Sequence, residues 1–248
     1  GDIDMNGYDW TPIGIDGDHY FSGTFEGNGH TISNLTITKN TAGYFGLFGI
    51  TDATIQNVNL TGSLTNTISD SGSAVGAIAG LITNGTIKNC TTDFTIISEN
   101  HTLGGMVGGA VSSTVENCVS GTGLKGQLYG YAGGVAGTVE TETKVINCTY
   151  SGTIVIGNQY IICGGIVGDI YGESGAPEIA YCVNHGFINA TMRTSPLNAT
   201  LGGIAGDTAY TGRIHHCTNA GTVTGTAHSI GGIIGDASGG PVENCLNR

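Results

Sequence analysis

The sequence predicts an all-β fold, a right-handed parallel β-helix (β-solenoid) of about seven to eight imperfect rungs. Three observations carry that reading. Glycine supplies 45 of 248 residues and is spaced between β-branched runs, which implies many turns separating short strands. A Gly-Gly-apolar segment recurs through the chain. Behind each copy comes a second landmark: an apolar residue, two variable positions and then, in most copies, a cysteine.

The glycine segment reads GGMVG at Gly104, GGVAG at Gly133, GGIVG at Gly164, GGIAG at Gly202 and GGIIG at Gly231, with relatives VGAIAG from Val75 and YFGLFG from Tyr44. Starts at Gly76, Gly104, Gly133, Gly164, Gly202 and Gly231 are 28, 29, 31, 38 and 29 residues apart, a solenoid spacing. The second landmark ends at Leu35, Val58, Cys90, Cys118, Cys148, Cys182, Cys217 and Cys245. Leucine, valine and cysteine exchange at that register, so it reads as a buried apolar slot. After the slot, Gly62, Gly152, Gly186 and Gly221 introduce a third short strand. Such strands are stable only when stacked about 4.8 Å apart on neighbouring copies. The 38-residue interval, with Met192, Arg193, Ser195 and Pro196, reads as a loop extruded from the stack.

Other classes fit poorly. Glycine at this density penalises helical solenoids by about 1 kcal/mol per interior site. Four prolines and no period of three exclude collagen. Lys+Arg 7 against Asp+Glu 19 gives a net charge of -12, which argues against nucleic acid as a partner. No apolar run reaches the length of a membrane span, and no signal-peptide pattern opens the chain.

The opening resembles the GLUG-motif family of bacterial surface proteins and adhesins, whose β-helical regions accompany IgA-cleaving metallopeptidases. The resemblance is carried by GDIDMNGYDWTPIG, FSGTFEGNGHTISNLTI, YFGLFG and ATIQNVNL, within residues 1–60. Residues 61–248 resemble degenerate later repeats of the same kind, so 1–248 reads as a single β-helix segment of a longer protein. The resemblance implies an extracellular or bacterial cell-surface location. It does not bring peptidase chemistry, because the HExxH zinc-binding sequence is absent.

Asn34, Asn57, Asn89, Asn117, Asn147 and Asn244 precede the slot in six of eight copies, with Tyr181 and His216 in the other two; a turn or a polar ladder explains them. The cysteine column reads as buried thiols, with inter-rung disulfides as the alternative. CxxC and Cys/His clusters are missing, which disfavours metal binding there. The ligand-binding candidates are Asp169, Asp207 and Asp236, which follow the same glycine segment in successive copies, with Tyr171 and Tyr210 nearby. In register, these acids could bind calcium or raise one another's pKa, and the tyrosines could stack on sugar rings. Solvated corners are the plain alternative. Trp10, Tyr20 and Phe21 read as packing for the first turns.

The expected function is noncatalytic: an extracellular adhesin or spacer segment presenting a repetitive surface to a host protein, a glycan or another copy of itself. No cofactor is expected beyond calcium at the acids. A carbohydrate-binding module is one alternative. The other is a carbohydrate-active β-helix enzyme, a hydrolase or lyase, which rests on fold analogy.

Overall fold

The computed structural model describes residues 1–68, 72–99, 102–172, 175–192, 198–209 and 211–248. They wind into a parallel β-solenoid of about eight turns with three faces. One face is an eight-stranded sheet of short strands, from Thr24–Glu26 to Val242–Glu243. A second is a seven-stranded sheet from Phe48–Thr51 to Ile234–Ala237. The third is broader, with eighteen strands, because a turn crosses it in pieces such as Thr91–Ser98 and Thr102–Gly104.

The interior is built from like residues stacked in register. Ile55, Ile87, Val115, Val145, Ile179 and Ile214 pair in succession along the first face, and all are fully buried. Each such side chain contributes about 1.5 to 3 kcal/mol by leaving water. The slot residues form a neighbouring column, buried from Leu35 to Cys217 and half-buried at Cys245. All seven cysteines are free thiols. Those of the slot column point their sulfurs at backbone carbonyls, as Cys148 does toward Ile146 and Val115 at 3.4 and 3.5 Å.

The residue before each slot explains the asparagine pattern. All eight, from Asn34 to Asn244, have φ between 52° and 57°, the left-handed region in which asparagine is favoured among residues bearing a Cβ. The hydrogen-bond ladder continues through these bends, as from Asn89 N to Glu116 O at 3.1 Å. Amide side chains also link rungs outside, with Asn147 Nδ2 donating to Asn117 Oδ1 at 2.8 Å.

The two glycines of each pair serve different contacts. A Cβ on the first, as at Gly164, would strike the carbonyl oxygen of Val167 three residues on, so this glycine makes the sharp corner. A Cβ on the second, Gly165, would strike the Gly203 carbonyl of the next rung and the buried Asn184 side chain, so the second member faces inward. At Gly134 and Gly186 the vacated space is filled by the fully buried Tyr150 ring, whose hydroxyl donates to Thr122 O at 3.1 Å. Near the start of the chain, Trp10 Nε1 donates to Leu47 O at 3.0 Å and Phe21 packs on Phe48 with ring centroids 5.0 Å apart, while Tyr20 is exposed.

Candidate functional site

The three acids occupy equivalent positions on strands Val167–Tyr171, Ala205–Ala209 and Ile234–Ala237. Asp169 pairs in register with Asp207, and Asp207 with Asp236, so the stack places them in one row one rung apart. Thr138 bounds the row on the side of Asp169. On the adjoining arm, across the Gly-Gly corner, Tyr131, Ile162, Thr200 and Ser229 form a second register row, and Tyr160 lies two residues before Ile162.

The third glycine of the motif brings the two rows together. A Cβ on Gly168 would meet the Ala132 backbone at 2.9 Å, and one on Gly206 would meet Ile162 Cγ2 at 2.8 Å. With no side chain there, the acid-bearing strands lie against the neighbouring arm. A cavity of about 240 Å³ opens at this corner, lined by Tyr160, Ile162, Thr200, Asp207, His228 and Asp236.

Burial falls along the row. Asp169 is 8% exposed, Asp207 is half-buried and Asp236 is exposed. Burial pushes the Asp169 carboxyl up to about 7, and the neighbouring Asp207 adds to the shift. Asp207 is raised in turn by burial and by Asp236. Tyr131 is pushed up to about 12 by burial and then by the field of Asp169, and Tyr160 moves in the same direction for the same reasons.

The corner also leaves polar atoms without partners. Asp169 Oδ1, Asp207 Oδ1 and Thr200 Oγ1 are buried atoms that make no hydrogen bond among the described residues. Among the described residues no salt bridge reaches any of the three acids. No group of three or more His, Cys, Asp or Glu side chains among the described residues is arranged to hold a metal ion, so the acids form a row rather than a cage.

Tyr171 is half-buried in register with Glu140 and Ala209, and it does not line the cavity. Tyr210 lies outside the described residues, as do Arg193, Ser195 and Pro196 of the long interval. The aromatic residue at the cavity is Tyr160, stacked on the exposed Tyr129 at 5.2 Å. Sequence reasoning missed it because it belongs to the preceding arm; its signal was the tyrosine shortly before the glycine segment in both YGYAGG and YIICGG.

A second polar cluster was also missed. His215 is buried, with Nε2 2.8 Å from Glu178 Oε1 and Nδ1 2.9 Å from His216 Nδ1, and Tyr181 stacks on His216 at 5.0 Å. These contacts satisfy one another. A groove of about 480 Å³ along the broad face, between Ile97, Lys125 and Val155, contains, among the described residues, no buried polar atom that lacks a partner.

Among the described residues no helix is long and apolar enough to cross a membrane. No protein-family model matches the chain. Over 108 residues it is 37% identical to "Halomucin" of Haloquadratum walsbyi, covering 41% of this chain and 1% of that protein. Over 80 residues it is 35% identical to a "Putative Gly-rich membrane protein" of Evansella cellulosilytica, covering 32% of this chain and 9% of that protein. The chain therefore spans a small part of these relatives. The crystal structure of "a putative immunoglobulin A1 protease from Bacteroides ovatus" superposes with a TM-score of 0.72 over 95% of this chain and 75% of that one. At 24% identity this likeness is one of fold, and the fold is the β-solenoid.

Proposed function

We propose that the chain is a noncatalytic segment of an extracellular bacterial surface protein: a stiff spacer that presents a binding corner to a host surface protein, a glycan or a second copy of itself. The observation that carries this reading is the in-register stack, which adds length at about 4.8 Å per rung while keeping the core closed. Matches of 1% and 9% of much longer relatives suit a segment that works within a large chain. On this reading residues 1–60 are a GLUG-like opening repeat, and any IgA-directed peptidase chemistry belongs to another part of the protein. The test is incubation of the purified chain with IgA, generic peptides and a polysaccharide panel, with and without zinc or calcium. Unchanged substrates support the proposal. Cleavage that disappears on substitution of one residue of this chain overturns it.

One observation favours a second reading, a carbohydrate-active enzyme. Asp169, pushed up to about 7, lies in register with Asp207, and a pair of neighbouring carboxyl groups is the equipment of glycoside hydrolysis. The noncatalytic reading is preferred because no Lys or Arg among the described residues lines the cavity beside the acids: Arg213 pairs with Glu243 at 2.8 Å, while Lys125 and Lys144 lie on other faces than the acids. The polysaccharide arm of the same experiment separates the two readings.

A further inference from the structure

We propose that the corner cavity binds a free amino sugar of a glycan, with its ammonium group held between Asp207 and Thr200 and its ring against Tyr160 and Ile162. The proposal rests on the reading of the chain as a binding segment and names the ligand class for its corner.

The corner holds buried polar atoms that the fold leaves unpaired. Of the residues lining the cavity, Asp207 and Thr200 each carry a buried oxygen, Oδ1 and Oγ1, with no hydrogen-bond partner among the described residues. Asp169 Oδ1, one rung away in the same row, is in the same state. Leaving such atoms unpaired is costly, and more so where the group is charged. The two acids of the lining, Asp207 and Asp236, form no salt bridge among the described residues. Unpaired acceptors beside an excess of acidic groups call for a ligand group with several N–H donors and a positive charge. A primary ammonium has three such donors. A neutral hydroxyl would satisfy one acceptor and leave the carboxylates uncompensated.

A bare divalent ion fits less well. The acids are spread over three rungs, and no group of three is arranged around one point. The cavity, at about 240 Å³, is larger than an ion needs but below the roughly 300 to 1,000 Å³ of sites that enclose drug-sized ligands, which suits a single ring. Its other wall is apolar and aromatic. Ile162 lines it, and Tyr160 is backed by Tyr129 at 5.2 Å, a surface suited to the C–H face of a pyranose. Asp236, exposed at the rim, adds long-range attraction for a cation.

The experiment is calorimetric titration of the whole chain with the β-1,4-linked glucosamine dimer, its N-acetylated counterpart and Nα-acetyl-lysine methylamide, on wild type and on Asp207→Asn, Asp169→Asn and Thr200→Val variants whose melting is checked separately. The expected result is saturable binding of the free-amine dimer. N-acetylation or Asp207→Asn should each weaken it at least tenfold in protein that melts as wild type, and the lysine derivative should bind at least tenfold less well because it lacks the ring. Equal binding of the acetylated dimer, tighter binding of the lysine derivative, or no heat with any probe would overturn the assignment. Chromatography of the recovered dimer separates failures: hydrolysis dependent on Asp207 would sink the noncatalytic reading and leave the amino-sugar site standing.

Discussion

Asn184 Nδ2 donates to Asn219 Oδ1 at 2.8 Å, and both side chains are buried inside the solenoid. Asn219 Nδ2 extends the column to Asn247 Oδ1 at 2.8 Å. The side-chain oxygens of Asn184 and Asn219 accept from Gly186 N and Gly221 N, so each of these two amides links two rungs and closes its own turn. Replacing Asn219 by alanine strands the donor of Asn184 and the amide of Gly221. We expect Asn219→Ala to destabilise by about 2 to 4 kcal/mol in urea denaturation. A loss below about 0.5 kcal/mol would mean that water replaces the amide without cost.

The outer asparagine row makes a different demand. Asn147 has φ 52° and donates to Asn117 Oδ1. Alanine there loses the exposed hydrogen bond and meets the left-handed Cβ penalty of about 1 to 2 kcal/mol, whereas glycine loses the bond alone. Asn147→Ala should therefore melt lower than Asn147→Gly. Equal melting of the two would show that the turn conformation is not what selects asparagine.

These two columns mark what the sequence made legible. The outer row stood out because asparagine recurred one residue before a slot that was itself visible as Leu35, Val58 and six cysteines. The inner row did not, because its register holds Leu60, Thr92, Ser120, Tyr150, Asn184, Asn219 and Asn247, which share neither size nor polarity. The acid row was legible as three aspartates after one motif, and the register brings them together. The far wall of the cavity was not, since Tyr160, Ile162 and Thr200 approach only once the Gly168 and Gly206 positions let two arms touch. Periodicity finds what repeats within one strand position; it does not report which arms meet across a corner.

The cysteines should be chemically quiet in the folded chain. Burial pushes the Cys163 thiol up to about 12 and raises Cys182 as well, so little thiolate exists near neutral pH. Cys245, in the last rung, is the one thiol with partial exposure. An anionic aromatic disulfide reagent should label Cys245 first, leaving the other six to react only on unfolding. Rapid labelling of several thiols in native protein would contradict the buried column. Cys148→Ser should destabilise by about 1 to 3 kcal/mol, because a hydroxyl replaces a sulfur held among apolar neighbours.

The last prediction concerns pH. Asp169 titrates near 3.8 when unfolded and is raised to about 7 in the fold by burial and then by Asp207. Between those values the native chain keeps a proton that the unfolded chain has released. The unfolded state then binds fewer protons, so stability falls as pH rises, by at most about 1.4 kcal/mol per pH unit from this group. The stabilising effect of the neutral acid is fully present below about pH 4, declines across the window and is lost above about pH 7. Urea denaturation from pH 4 to 8 should show this decline in wild type. Asp169→Asn, which keeps the shape and removes the titration, should flatten the curve and melt above wild type at pH 8. If the substitution leaves the slope unchanged, the carboxyl at 169 is hydrated in the native chain and the corner does not exclude water. A saturating cationic ligand acts in the opposite direction, since it favours the ionised row; adding the glucosamine dimer at pH 8 should recover part of the stability lost by wild type and none of that of an Asp169→Asn, Asp207→Asn double variant.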